Sequence, residues 1–553
     1  MATTKREKLF TEFPPVSTEQ WEEVIKADLK GADYERKLVW KTPEGFNVRP
    51  YYRAENLAGL KFLGSEAGVF PYVRGTRAHN RWKIHQTVIV NCPKEANAIA
   101  LKILNAGVDS IEFQIVPETF SAEDLNTLLK DIHIPAVEIT FSGSKTAHVA
   151  ELVIAKIEKE QLPAEEVHIN FCIDPLVKKL TSKGSFCSEN GAKCFEKIAD
   201  LVRKTKAYKG IRVITVSGEI FSNAGSTIVE ALAFSLAAGH DYLVRLMDMG
   251  FTIEEAAKKI RFSQAITSNY FMEIAKFRAA RWLWAEIVAA YNPACQCACK
   301  MHIHAQTSEW NMTVYDAHVN LLRSQTEAMS AALAGVDSIT VRPFDKTYQT
   351  PDDFSERIAR NQQLLLKEEC HLDKVVDPSA GSYYVEVLTN SLADVAWKLF
   401  LEVEDKGGFG AEVASGEIQK AVNASNEARK KAVATRREIL LGTNQFPNFN
   451  EVAAEKIKTE AGGCCCGGGH DCGEATVTAL DFSRGASEFE ALRLATEKSG
   501  KTPKVFMLTI GNLAMRLARS QFSSNFFACA GYKVIDNLGF DTVEAGVEAA
   551  VEA

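Results

Sequence analysis

The sequence predicts an α/β protein whose larger part is a closed barrel of eight parallel strands. Three observations carry this. From about residue 85 onward, short segments rich in Val, Ile, Phe and Thr alternate with stretches long enough for a helix. There are eight such segments, the number that closes a (β/α)8 barrel of the TIM type. The hexapeptides AGVDSI (106–111), AGHDYL (238–243) and AGVDSI (334–339) recur, each where a helical run should give way to a strand. Glycine there suits the helix C-terminus. AGxD is a common helix-to-strand turn, so the repeat reports architecture and not activity.

Residues 1–84 read as an N-terminal arm and subunit-contact segment, in which Phe10, Phe13, Trp21 and Trp40 suit a partner surface. The barrel is assigned to 85–365. Its strands are HQTVIVN (85–91), SIEFQIV (110–116), AVEITFS (136–142), VHINFCI (167–173), RVITVSG (212–218), YLVRLM (242–247), KMHIHAQ (300–306) and SITVRPF (338–344). The segment NYFMEIAKFRAARWLWA (269–285) predicts a helix with Phe271, Met272, Ile274, Ala275, Ala279, Trp282 and Leu283 on one broad face. Arg278 falls inside that face, where a charge must be paired, and a structural ion pair is its expected role.

Residues 366–455 read as a helical extension that includes SLADVAWKLFLEVE and EIQKAVNASNEARKKAVATRREIL. Residues 456–503 read as a Gly/Cys-rich and charged linker. In 504–553 a strand VFMLTI (505–510), a helix (512–531), a strand YKVIDN (532–537) and the start of a helix open a doubly wound α/β domain. That fold usually needs ~100 residues or more, so this unit reads as partial.

Composition is 46% hydrophobic and 24% charged over 553 residues, with a net charge of −7. An acidic chain without a Lys/Arg run argues against nucleic-acid or lipid-surface partners. The longest helix-like apolar stretch, IVEALAFSLAA (228–238), is too short to span a bilayer. The N-terminus MATTKREKLFTEF matches neither a signal peptide nor a transit peptide. Thirteen scattered cysteines fit a reducing compartment, and the cytoplasm is the expected location.

Several local features carry metal-binding residue types. AGGCCCGGGHDCGEA (461–475) gathers Cys464, Cys465, Cys466, His470 and Cys472. Three consecutive cysteines converge poorly on one tetrahedral ion, and flanking glycine supplies no rigid shell, so a flexible linker is the reading. His302, His304 and Gln306 share a face of the seventh strand. They read as polar barrel lining satisfied by hydrogen bonds. CQCAC (295–299) would place three thiols on one strand face and reads as packing, with redox sensitivity the lesser reading. No Gly-rich phosphate loop is present, and no Ser-His-Asp constellation can be argued from local context.

Blocks along nearly the whole chain resemble the methylmalonyl-CoA mutase family. They are DLKGADYERKLVWKTPEGFNVRPYY (28–52), GVFPYVRG (68–75), NYFMEIAKFRAARWLWA, HAQTSEWNMT (304–313), DFSERIARNQQLLL (353–366) and VVDPSAGSYYVE (375–386). The resemblance implies a TIM-type barrel that binds an acyl-CoA along its axis and a flavodoxin-like domain that carries adenosylcobalamin. It implies an intramolecular transferase interconverting methylmalonyl-CoA and succinyl-CoA in propionate metabolism. Many bacterial members pair a catalytic large subunit with an inactive small one.

The residues that the catalytic members use are replaced here. Their Tyr-His pair lies in a segment of the form SGYHMQEAGA, which reads SGEIFSNAGS (217–226) in this chain, so Glu219 and Ile220 stand at the two positions. A tyrosine-bearing loop near the first strand is shorter here, RGTRAHNRWKIHQ (74–86), and lacks the tyrosine. The cobalt-ligand motif D-x-H-x-x-G corresponds to TIGNLAM (509–515), and no histidine follows His470. The resemblance therefore implies the small (β) subunit, with a truncated, cobalamin-binding-like C-terminal domain. No catalytic, cofactor-binding or metal residue is expected on this chain. Adenosylcobalamin is expected on the large (α) subunit partner of a heterodimer. The alternatives are an active acyl-CoA mutase with an altered site and a stand-alone acyl-CoA-binding barrel.

Overall fold

The computed structural model describes residues 10–181, 188–458 and 478–553. Eight strands close into a barrel: β1 (Lys83–Val90), β2 (Ser110–Ile115), β3 (Glu138–Gly143), β4 (Ile169–Ile173), β5 (Ile211–Ser217), β6 (Ile260–Ile266), β7 (Ile303–Thr307) and β8 (Ser338–Thr340). They pair in sequence order, all parallel, and β8 closes onto β1.

Alternation along each strand decides which side chains face the axis. Phe113, Phe141 and Phe171 point outward beneath the helices and form a row, with centroids 5.9 and 6.0 Å apart. The intervening positions are polar and face inward. Arg261 of β6 reaches Thr140 of β3 across the barrel, at 3.2 Å.

Seven of the predicted segments become barrel strands, and the sixth does not. YLVRLM lies inside the helix Ile228–Asp248, which starts with a capping box between Thr227 and Glu230 and buries residues around most of its circumference. AGHDYL is accordingly mid-helix rather than a helix-to-strand turn. Gly239 is there because a Cβ would lie 2.6 Å from the Phe262 ring. The true sixth strand, IRFSQAI, has Arg261 and Ser263 turned inward and so lacks an apolar run. At the other two repeats Gly107 and Gly335 take φ of +94° and +75° and lead into β2 and β8.

The helix Tyr270–Ala289 forms as predicted, but its buried surface is not one face. It is packed between the helices Ile228–Asp248, Val319–Ala334 and Tyr383–Asp405, and Glu273, Lys276, Arg278 and Arg281 are buried with the apolar residues. Phe271, assigned to the inner face, is 48% exposed. Arg278 is ion-paired, as anticipated, with Glu386 and Asp377.

In the arm, the helix Thr18–Asp28 buries no residue, and Trp21 stacks on Tyr51 at 4.8 Å. Phe10, Phe13, Trp21 and Trp40 are all exposed. The arm is fastened by Glu44, whose carboxylate accepts from the Val229 amide at 2.8 Å, at the start of the helix Ile228–Asp248.

Beyond the barrel, the helix Glu417–Ala434 stops short of the predicted RREIL. Arg436 takes φ +57°, and the Asn444 side chain bonds Leu440 N, Val433 O and Glu438 O in place of a further turn. The charged stretch read as linker contains a helix, Ser487–Lys498, that buries Glu490 and Arg493. Its buried surface is polar, so its composition did not reveal it. The Cys464–Cys472 strip lies outside the described residues. The C-terminal unit pairs β9 (Lys504–Phe506) with β10 (Lys533–Ile535) in parallel, with the helix Leu513–Ala528 between them and Val543–Glu552 after. No helix among the described residues is long and apolar enough to cross a membrane.

Candidate functional site

The C-terminal ends of the strands gather the residues that follow them. After β5, Ser217 donates its amide to Asp174 Oδ2 at 2.7 Å, and Asp174 Oδ1 accepts from Tyr242 at 2.7 Å. Gly218 must lack a side chain, since a Cβ would lie 2.3 Å from Ser235 Oγ and 2.4 Å from Gln264 Nε2. The chain then turns into the short helix Glu219–Asn223, with Glu219 at the mouth.

Burial raises the Glu219 carboxyl to about 7; the Ser263 hydroxyl and Arg342 work against this, and Asp174 adds to it. Its Oε2 has no hydrogen-bond partner within the protein. Ser263 accepts from Gln306 at 2.8 Å, and Gln306 accepts from Arg342 at 2.7 Å. Arg342 pairs with Glu309 at 2.8 Å, and Lys346 joins it at 3.0 Å. Burial would raise the Glu309 carboxyl, but the two cations outweigh it and bring it to about 2. Ile220 packs against the core and offers neither donor nor acceptor in its side chain.

Deeper in the barrel, Thr87 donates to Glu112 at 3.1 Å, and His85 Nε2 stands 3.6 Å from the same carboxylate. His304 Nδ1 shares a hydrogen bond with Ser338 at 2.8 Å, and its ring lies 4.5 Å from that of His85. Burial holds both His302 and His304 well below the usual imidazole range, so they are neutral lining groups. His304 is satisfied as the sequence suggested, whereas His302 Nδ1 finds no partner within the protein. Among the described residues no three His, Cys, Asp or Glu side chains are placed to hold a metal.

The mouth is crossed by residues 478–486. Leu480 donates its amide to Leu180 O beyond β4, and Gly485 donates to Trp310 O beyond β7. Asp481 pairs with Lys430 at 2.5 Å, and Arg429 stacks over the Trp310 ring at 3.4 Å. A segment read as linker therefore forms part of the site's cover.

The three sequence-predicted site segments are not brought together. Of the segment 74–86, residues 74–82 lie at the opposite, N-terminal end of the barrel, where Arg77 pairs with Asp337 at 3.3 Å and Asn80 bonds Ala332 O, and residues 83–86 open β1. The segment 509–515 sits in the C-terminal unit. Thr509 there donates to Asn537 at 2.6 Å, and Asn512 caps the helix Leu513–Ala528 by accepting from the Ala514 and Met515 amides. Both polar side chains of that turn are engaged and neither is an imidazole, so these residues do not fit cobalt ligation.

CQCAC is not a strand. Gln296–Cys299 form a turn of 3-10 helix; Cys295 and Cys297 are exposed and joined as a disulfide, and Cys299 is buried. Sequence reasoning missed Arg261, Ser263, Glu309 and Arg342. Glu309 and Arg342 lie just beyond the C-terminal ends of β7 and β8, whereas Arg261 and Ser263 are inward positions of β6, lost because that strand was misplaced.

A sequence profile of the methylmalonyl-CoA mutase family matches residues 41–120 and 116–462. A methylmalonyl-CoA mutase small subunit of Porphyromonas gingivalis is 56% identical over 99% of this chain and 88% of its own length. The small subunit of Propionibacterium freudenreichii subsp. shermanii is 31% identical over 96% of this chain and 83% of its own. A methylmalonyl-CoA mutase of Rhizobium meliloti is 32% identical over 78% of this chain and 64% of its own.

Proposed function

Since the chain belongs to the methylmalonyl-CoA mutase family, we propose that it is the small, non-catalytic subunit of a heterodimeric, adenosylcobalamin-dependent mutase. It pairs with a large catalytic subunit, stabilises it, and leaves the cofactor to that partner. The same reading places the pair in the cytoplasm.

The observation that supports this most is the mouth. Glu219 and Ile220 occupy the positions at which the family resemblance implies tyrosine and histidine. An isoleucine can neither donate a hydrogen bond to a thioester carbonyl nor carry a proton. A carboxyl held near neutrality by burial is partly ionised at pH 7, and its charge repels a carboxylated substrate. The side chains of the 509–515 turn include no imidazole that could ligate cobalt.

The test is purification of this chain alone and together with a related chain carrying SGYHMQEAGA and D-x-H-x-x-G. The expected result is a stable pair that shows the cobalamin spectrum and isomerises methylmalonyl-CoA, with neither property in this chain alone. Turnover and a cobalamin spectrum from this chain by itself would overturn the proposal.

A further inference from the structure

The motif CQCAC stands apart from the barrel mouth, and the mutase reading gives it no role. Its three cysteines are not equivalent. Cys299 is buried, and burial raises its thiol, as do the nearby Glu286 and Glu254 carboxylates. Cys295 and Cys297 are exposed, with Cα atoms 5.2 Å apart, inside the range that a disulfide spans. The Cys297 amide donates to Cys295 Sγ at 3.2 Å, which holds the turn in the shape that brings the two sulfurs together.

The turn is also wired inward. The Gln296 carbonyl, between the two cysteines, accepts from the Tyr72 hydroxyl at 2.9 Å. Arg281 holds the carbonyls of Tyr72 and Val73, each at 3.0 Å. The backbone that carries the pair is thereby fixed, and the two sulfurs meet without rearrangement of the fold.

We propose that Cys295 and Cys297 form a reversible thiol–disulfide exchange site for low-molecular-weight thiols and disulfides of the glutathione class. In the oxidising direction the Cys295 thiolate attacks a disulfide R–S–S–R, forming a mixed disulfide and releasing one RS⁻. The Cys297 thiolate then attacks Cys295 Sγ, closes the intramolecular bond and releases the second RS⁻. Two electrons pass from the protein dithiol to R–S–S–R, which leaves as two thiols, and the reverse sequence restores the dithiol.

The full chain is equilibrated near neutral pH in glutathione buffers stepped from reducing to oxidising, then acid-quenched, labelled with a maleimide and mapped by peptide mass. The peptide holding Cys295, Cys297 and Cys299 is expected to pass from three labels to one in one step, Cys299 keeping its label, and to return on reduction. Cys295→Ser should instead leave Cys297 carrying a glutathione adduct. Three labels retained at every ratio, a single label even after excess dithiothreitol, or exchange confined to Cys464, Cys465, Cys466 and Cys472 would each overturn the assignment. The primary readout uses the unaltered chain, so it does not depend on how a variant folds.

Discussion

Arg278 Nη2 lies 2.7 Å from Glu386 Oε2, with both side chains fully buried. Arg74 closes the cluster, at 2.5 Å from Glu386 Oε1 and 3.1 Å from Asp377 Oδ2, and Arg278 Nε stands 3.3 Å from Asp377 Oδ1. Two cations and two anions thus tie the segment before β1 to the helices Tyr270–Ala289 and Tyr383–Asp405. Arg278→Leu leaves two buried carboxylates facing one guanidinium. The expected loss is about 3–5 kcal/mol, read as a lowered denaturant midpoint.

Glu327 gives a pH dependence with a defined sign. Burial raises its carboxyl from 4.5 to about 8; Glu273 pushes the same way, and a hydrogen bond from Asn311 opposes it. A raised carboxyl binds its proton more tightly when folded. Its contribution to stability is therefore full below the unfolded value and is lost as pH rises through the folded one. Glu327→Gln mimics the protonated form. Its midpoint should match the parent's near about pH 5 and exceed it above about pH 8, by an energy on the order of 2–4 kcal/mol. Thermal melts across that window check it, and parallel curves would reject it.

Gly239 tests the corrected sixth strand. Adding a methyl group there meets the Phe262 ring at 2.6 Å and the Trp284 ring at 2.9 Å. Gly239→Ala should destabilise by about 1–3 kcal/mol despite the better helix propensity of alanine. A stabilised variant would show that this residue is not at a close helix–barrel contact.

Trp310 holds the cover of the mouth. Its indole donates to Asn426 at 3.0 Å, Arg429 lies over its face, and a Cβ on Gly485 would come within 2.7 Å of it. Arg429→Met removes the charge over the ring, worth about 1–2 kcal/mol. Limited proteolysis should then cut within 478–486 several-fold faster, with the barrel intact.

The arm tests the pairing reading. Phe13 is 71% exposed and Trp21 47%, and neither supports the barrel core. The double change Phe13→Ser, Trp21→Ser should leave the melting temperature of this chain unchanged. It should weaken association with the large subunit by tenfold or more, on the order of 1.4 kcal/mol. Unchanged affinity in a titration would remove the arm from the interface.

The barrel was legible because its strands advertise themselves: SIEFQI and EITFSG alternate apolar and polar side chains at a period of two. RFSQAI failed to advertise itself because its inward residues serve the barrel interior and Gln264 breaks the apolar side. The site was legible in part. Glu219 and Ile220 follow a strand and could be found from local text, whereas the mouth's chain from Ser263 through Gln306 and Arg342 to Glu309 joins two strands and the segments that follow β7 and β8. No short window contains it.

The alternation of strands and helices, the family resemblance, and the presence of Glu219 and Ile220 after the fifth strand were legible in the chain's text, because periodicity and residue identity are local properties. Folding in three dimensions decided that Glu44 docks the arm on a helix start nearly two hundred residues away, at Val229. It also decided that 478–486 crosses the mouth, and that Cys299 turns inward while Cys295 and Cys297 face solvent. Those facts depend on which surfaces meet when the chain closes. Burial and pairing then fix the protonation of Glu219 and the partners of Arg278, quantities that no residue carries alone.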